Sequence, residues 1–180
     1  MIIFDLDGTL ADCEHRRHFV NPEKDPEADC FIAWDWDPSG ETVKYLKNGS
    51  PWKPDWKSFY EACDKDTLIE PVCEMLYNLC SNWEIEIWSG RCESVREKTF
   101  DWLVQQTWLD SYSDGQVLEL KMRPQGNTEP DEVLKERWLD EALAQGKKVD
   151  FVFDDRPKVV RMWRRRGIFV FNCSQHDEEF

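Results

Sequence analysis

The sequence predicts an α/β protein in which short strands alternate with helices, with an aromatic-rich insertion after the first strand. Three observations carry that prediction. Five runs of strand length, Ile2–Phe4, Glu84–Trp88, Val117–Arg123, Val149–Phe153 and Ile168–Phe171, are spread along the chain. Between them lie stretches whose apolar residues recur three and four apart, the spacing of a one-sided helix. Two of the runs end in paired carboxylates, Asp5/Asp7 and Asp154/Asp155. Open α/β sheets build their sites at that edge.

The 180 residues fit one domain, 1–180, with a cap-like insertion at about 20–66. A chain of this length can bury more than half of its unfolded surface, so it requires no covalent staples. The formal charge of −14 opposes broad, nonspecific binding to nucleic acid, while leaving room for a local basic pocket. Seven cysteines form no C-x-x-C pair and leave one unmatched, which fits reduced thiols and a cytoplasmic setting. Three histidines make a His/Cys zinc site an unpromising reading. No signal peptide precedes the first strand, and no apolar run is long enough to span a bilayer. There is no internal repeat and no G-x-x-x-x-G-K-[ST] loop of a Walker-type kinase.

The first strand, Ile2–Phe4, leads into Asp5-Leu-Asp7-Gly-Thr-Leu-Ala11. Alternate side chains of a strand point the same way, so Asp5 and Asp7 can project together, and Gly8 permits a sharp turn. Two close carboxylates call for a counter-charge, and a hard cation such as Mg²⁺ with its preference for oxygen supplies one. A carboxylate can also act as the covalent nucleophile of phosphoryl transfer. Arg16 and Arg17 follow closely. They read either as a flap folding back over this edge or, as composition favours, as solvated surface.

Residues 30–60 hold Trp34, Trp36, Trp52 and Trp56 among Pro, Gly and Asp, with turns at Asp35–Gly40 and Asn48–Pro51. A hairpin or a small aromatic-stapled cap fits, the tryptophans either packing a minor core or stacking on a nucleobase. Trp56, Phe59, Tyr60 and Cys63 begin a helical pattern. Pro71 suits the first turn of the next helix, whose buried face is Val72, Met75, Leu76, Leu79 and Cys80.

The second strand, Glu84–Trp88, runs into Ser89-Gly90-Arg91. A hydroxyl there, with backbone N–H groups freed by Gly90, makes a phosphate cradle, and Arg91 adds a planar donor fork. A plain strand-to-helix turn is the competing reading. A helix from about Glu93 to Gln106 turns Val95, Thr99, Trp102 and Leu103 inward. After the third strand, Thr128 or Glu129 caps a helix with Pro130 in its first turn and a stripe of Leu134, Trp138 and Leu143. Lys135 at the border of that stripe opposes the helix dipole, so it either faces a partner anion or is solvated. The fourth strand ends in Asp154 and Asp155. Pro157 opens a helix with Val159, Val160 and Trp163 buried. Its other face carries Lys158, Arg161, Arg164, Arg165 and Arg166, which either complement the helix dipole or touch polynucleotide phosphates. Gly167 stops it before the fifth strand, and His176–Phe180 forms an acidic tail.

With these residues in order, the chain resembles the haloacid dehalogenase (HAD) superfamily of phosphohydrolases, whose four motifs match Asp5/Asp7, Ser89, Lys135 and Asp154/Asp155. It is similar, more narrowly, to the phosphatase domain of phage-type polynucleotide kinase/3′-phosphatases. That similarity rests on Asp5–Ala11, Trp88-Ser-Gly-Arg91, Met122-Arg123 with Gly126 and Asp131, Val133-Leu-Lys135, and Phe153-Asp-Asp-Arg156 followed by Val159–Arg165. The resemblance implies a Rossmann-like core with a parallel five-stranded sheet. It implies Asp5 as nucleophile, Asp7 as general acid/base, and Ser89, Gly90, Arg16, Arg91 and Lys135 on the substrate phosphate. It further implies Mg²⁺ held by Asp5, the Asp7 carbonyl and Asp154, with Asp155 as a further acidic ligand or just behind one. The kinase half of those enzymes has no counterpart here, and the insertion is longer than theirs.

The function implied is Mg²⁺-dependent hydrolysis of a phosphate monoester at a nucleotide or nucleic-acid 3′-end. A 5′-mononucleotidase is the alternative, which the acidic charge and aromatic insertion suit. A non-catalytic HAD-like binding module is the third reading, and the intact set of charged site residues argues against it.

Overall fold

The computed structural model describes residues 1–26, 28–29, 45–48, 50–107 and 119–174. Trp34, Trp36, the Asp35–Gly40 turn, the start of the Val117 strand and the acidic tail lie outside the described residues. In chain order the strands are β1 (Ile2–Phe4), β2 (Ala11–Asp12), β3 (Ala28–Asp29), β4 (Tyr45–Leu46), β5 (Thr67–Leu68), β6 (Ile85–Cys92), β7 (Glu119–Arg123), β8 (Phe151–Asp154) and β9 (Phe169–Asn172). The α-helices are α1 (Trp56–Glu61), α2 (Glu70–Cys80), α3 (Arg96–Thr107), α4 (Asp131–Ala144) and α5 (Pro157–Arg165). Tighter 3₁₀ turns occupy Glu14–Phe19, Cys63–Lys65 and Glu93–Val95.

Five strands form one sheet in the order β7-β6-β1-β8-β9, and every pairing in it is parallel. β1 lies at the centre, with Phe4 beside Ile87 on one side and Phe153 on the other. Strand alternation divides its side chains between two cores. Ile2 and Phe4 join Leu76, Cys80, Trp102 and Leu103 from α2 and α3. Ile3 joins Trp88, Leu134, Trp138, Val160 and Trp163 with α4 and α5. Both faces of the sheet are thus covered by helices, which is why the central strand reads as an unbroken apolar run. Phe4, Phe153 and Phe171 stack across three neighbouring strands, with ring centroids 4.4 and 4.8 Å apart.

Four elements depart from the sequence-based expectation. β6 continues through Ser89, Gly90 and Arg91 to Cys92, so S-G-R is extended backbone rather than a turn, with a register shift against β7 between Ser89 and Cys92. Pro130 is itself the N-cap of α4, and no side chain of Thr128 or Glu129 caps it; Asp131 and Glu132 in the first turn complement the helix dipole instead. The buried stripe of α4 is Leu134, Lys135, Trp138, Leu139 and Ala142, leaving Leu143 exposed. On α2, Met75 is likewise exposed, and Leu76 and Cys80 carry the burial. On α5, Arg165 and Arg166 are spent on Glu136 and Asp140 of α4, so the basic face is not a continuous unpaired strip.

Between β1 and α2 the chain leaves the sheet. β2 returns antiparallel to β5, and β3 pairs antiparallel with β4. Trp52 donates to Asp25 across this segment at 3.0 Å. α1 is capped by Asp55, which accepts from the Ser58 N–H at 3.0 Å. Among the described residues no helix is long and apolar enough to cross a membrane.

Candidate active site

The carboxyl ends of β1, β8 and β6 converge at one edge of the sheet. β1 delivers Asp5, whose backbone N–H bonds the Phe153 carbonyl at 2.9 Å. β8 delivers Asp154 and Asp155. One ligand oxygen from each of Asp5, Asp154 and Asp155 lies within 4.8 Å of the others, and all three residues are buried. Chance rarely gathers three buried carboxylates, because each loses its water and repels its neighbours.

One cation enters this cluster from the protein. Lys135 Nζ, from α4, lies 2.8 Å from Asp5 Oδ1 and 2.8 Å from Asp154 Oδ2. This resolves the two sequence readings of Lys135 in favour of a partner anion. The indole N–H of Trp163 donates to Asp154 at 3.2 Å, and the Thr9 hydroxyl donates to Asp155 at 3.3 Å. Gly8 makes the crowding possible. Its φ is +84°, and a Cβ there would stand 2.1 Å from Asp155 Oδ2.

One ammonium does not balance three carboxylates. Burial pushes the Asp5 carboxyl up, Lys135 draws it back, and Asp154 pushes it up again, leaving it at about 6. Burial, then Asp5 and Asp154, hold Asp155 well above the ordinary carboxylate range. Burial would lower Lys135, but Asp154 and Asp5 outweigh it and keep the ammonium charged. An all-oxygen donor set with surplus negative charge fits a small divalent cation such as Mg²⁺.

Asp7, two residues on, has the opposite surroundings. Its carboxylate is not in that cluster; it accepts from Arg16 Nη2 at 2.6 Å and from Arg91 Nη2 and Nε at 2.5 and 2.9 Å. Burial alone would raise Asp7, but Arg91 and Arg16 outweigh it and hold the carboxyl well below the ordinary range. Both arginines are fully buried. Arg16 is therefore not solvated surface: it folds back against the β1 edge, and its guanidinium serves Asp7, Asp66 and the Phe59 carbonyl (3.1 Å).

The second anion of this clamp is Asp66, which sequence reasoning missed. It accepts from Arg16 Nε at 2.7 Å and Nη2 at 2.7 Å, and from Arg91 Nη2 at 2.6 Å. Its only signal is a polar Asp-Lys-Asp stretch that reads as a helix break.

Ser89 is fully buried, and its hydroxyl accepts from the Arg91 N–H at 3.1 Å. Gly90 lines the site cavity. Its carbonyl accepts from Arg123 Nε at 2.9 Å, and a Cβ on it would meet Asp131 Oδ1 at 2.9 Å. Asp131, at the start of α4, is held between Arg123 and Arg156. Those three residues belong to the resemblance but carried no role in the sequence reading. Together with Asp5, Asp7, Trp56 and Tyr60 they line a cavity of about 430 Å³, a volume in the range of small-molecule sites.

The sheet order, the carboxylate pairs at its edge and the lysine between them define a phosphatase of the HAD type. The chain belongs to the family of phosphatase domains of polynucleotide kinase (PNKP), whose family model matches residues 53–178. A protein of Autographa californica nuclear polyhedrosis virus named as a bifunctional polynucleotide kinase/RNA ligase is 32% identical over 133 residues, covering 71% of this chain and 18% of its own length. A chain of a solved Pnkp1/Rnl/Hen1 RNA repair complex superposes with a TM-score of 0.61 at 24% identity, over 98% of this chain and 43% of that one. A haloacid dehalogenase-like hydrolase of Streptococcus pneumoniae superposes with a TM-score of 0.55 at 14% identity, over 95% of this chain and 82% of its own. The chain thus spans less than half the length of the viral and repair-complex relatives.

Proposed function

We propose that this protein removes 3′-phosphates from polynucleotide ends as a Mg²⁺-dependent phosphomonoesterase, through an aspartyl-phosphate on Asp5. The observation that carries this is the contrast between Asp5 and Asp7. One carboxylate sits beside Lys135 facing a cavity, and its neighbour two residues on is gripped by two arginines. The kinase-type relatives support polynucleotide ends as the substrate.

In this reading an Asp5 oxygen attacks phosphorus in line, the P–O3′ bond breaks, and Asp7 passes a proton to the leaving oxygen. In the second step Asp7, again a carboxylate, takes a proton from the water that displaces Asp5 from phosphorus. Inorganic phosphate leaves and Asp5 is regenerated. General acid/base help of this kind is worth roughly 10²–10⁴-fold. The arginine clamp favours the carboxylate form of Asp7, which suits the second step. The incoming phosphate's negative charge raises Asp7 toward its protonated form for the first. Lys135, the backbone amides beside Ser89 and Gly90, and Arg91 through Asp7 balance charge around the transferring group. Asp5, Asp154 and Asp155, with the Asp7 carbonyl, would hold Mg²⁺, whose charge offsets that of the phosphoryl oxygens. The segment at about 20–66 acts as a small cap on a single domain spanning 1–180.

The test is phosphate release with Mg²⁺ from a 3′-phosphorylated oligonucleotide beside a panel of 5′-mononucleotides, with Asp5→Asn as control. Preference for the oligonucleotide is expected. The net charge of −14 favours the second reading, a 5′-mononucleotidase, and preference for a mononucleotide would establish it.

A further inference from the structure

The active-site cavity continues past the reacting carboxylates. Its wall on the α1 side is Trp56, which is 47% exposed. The indole is not loosely placed. It stands edge-on to Phe59 with centroids 5.8 Å apart and is inclined by 29° to Tyr60 at 6.0 Å. Phe59 in turn lies 4.1 Å beneath the Arg16 guanidinium, which anchors the aromatic trio to the clamp around Asp7.

A second cavity, of about 570 Å³, adjoins the first: Trp56, Phe59, Pro130, Asp131 and Arg156 line both. The first contains the site carboxylates Asp5 and Asp7. The second adds Arg17, Lys24 and Lys158, together with Glu23 and Glu132. Arg17 and Lys24 share Glu14, whereas Lys158, exposed in the first turn of α5, enters no ion pair among the described residues. A half-exposed indole between the site carboxylates and a cavity bearing the exposed Lys158 has the parts of a single-strand track: a flat face for a base and a cation for the backbone phosphate that follows it.

We propose that the second cavity is a subsite for the nucleotide immediately 5′ of the terminal one, with Trp56 as the stacking platform between them and Lys158 on the intervening backbone phosphate. The proposal rests on the phosphatase reading above and extends it. The protein engages a single-stranded end at least two nucleotides long, and the mononucleotide is the poorer substrate.

The experiment compares kcat/KM, with Mg²⁺, for a nucleoside 3′-monophosphate and the dinucleotide ending in the same 3′-phosphate, with p-nitrophenyl phosphate as a probe of the chemistry alone. A base stack is worth about 1–3 kcal/mol, so the dinucleotide should be favoured about 5- to 150-fold, through KM. Trp56→Ala should remove most of that preference, leaving the several-fold share of Lys158, and Trp56→Phe should keep much of it. Lys158→Ala should lower the ratio several-fold and weaken its salt dependence. Lys158 is exposed, so that variant remains informative if Trp56→Ala fails to fold. Equal kcat/KM for the two nucleotides in the wild type overturns the subsite and leaves the phosphatase standing, as does an undiminished ratio in both Trp56→Ala and Lys158→Ala. Turnover of p-nitrophenyl phosphate with neither nucleotide cleaved overturns the subsite together with the choice of substrate.

Discussion

The guanidinium groups of Arg16 and Arg91 share two acceptor atoms: each Nη2 bonds both Asp7 Oδ1 and Asp66 Oδ2, at distances of 2.5–2.7 Å. Two buried cations that would repel are joined by two carboxylates, one from the edge of β1 and one from just before β5. The arrangement is neutral as a unit and depends on all four members.

Removing one member exposes that dependence. Asp66→Ala leaves two buried guanidiniums facing a single carboxylate, and breaking buried pairs of this kind costs about 3–5 kcal/mol. The urea midpoint should fall with little change in slope, and phosphatase activity should fall with it because Asp7 loses its fixed orientation. Lys148→Ala, which cuts an exposed pair with Asp150, should leave both quantities near wild type. Equal midpoints for the two variants would contradict the clamp.

Asp5→Asn tests the nucleophile. The amide keeps the shape of the side chain but cannot form the aspartyl-phosphate, so turnover should drop to background while the circular dichroism spectrum stays that of the folded protein. Turnover near wild type would sink the covalent mechanism.

The metal-free protein should show its carboxylate crowding as a pH effect. The Asp5 carboxyl is raised from 3.8 to about 6 in the folded state, and Asp155 is raised as well. Folding therefore favours the protonated forms. That stabilising contribution is complete below about pH 4; for Asp5 it is lost as pH rises through about 6, and for Asp155 as pH rises through a carboxyl held well above the ordinary range. In chelator, the Tm of wild type should decline as pH rises above about 4, relative to Asp155→Asn. Mg²⁺ should restore the wild type at pH 7.5 by binding only the folded state. Superimposable pH profiles for wild type and variant would show that the cluster is not strained in this way.

Gly8→Ala combines two penalties. A residue with a side chain at φ +84° costs about 1–2 kcal/mol. Its Cβ would also occupy the position of the Asp155 carboxylate. The expected result is a lower Tm and Mg²⁺ affinity weakened by at least about tenfold, read from calorimetric titration. Unchanged affinity would show that Asp155 lies outside the metal site.

The middle of the sheet was legible because β1 and β8 are buried apolar runs, and buried runs announce themselves without reference to partners far along the chain. Asp5, Asp154 and Asp155 were legible for a related reason: carboxylates directly after such a run have only one place to go. The clamp was not. Arg16 lies in a polar stretch without periodicity, and its partner Asp66 is 50 residues away. Nothing local distinguishes a buried Arg–Asp pair from two solvated charges. S-G-R misled in the other direction, since a Gly after a strand reads as a turn. Here Gly90 keeps the strand extended and leaves space for Asp131, which only the tertiary structure brings near. Lys158 and Arg165 looked alike in sequence, and packing of α5 on α4 separates them by pairing Arg165 with Glu136.

Because Asp66 closes the excursion between β1 and α2 while also steadying Asp7, local order in that excursion and competence for catalysis are one property. A fluctuation that lifts Asp66 away would loosen the grip of Arg16 and Arg91 on Asp7, the acid–base group of the proposed mechanism, without touching the phenylalanine stack or either helical layer. In the proposed mechanism this makes a fail-safe: loss of order around Asp66 is expected to extinguish activity, which a comparison of the denaturant midpoints of activity and of the far-UV circular dichroism signal would check.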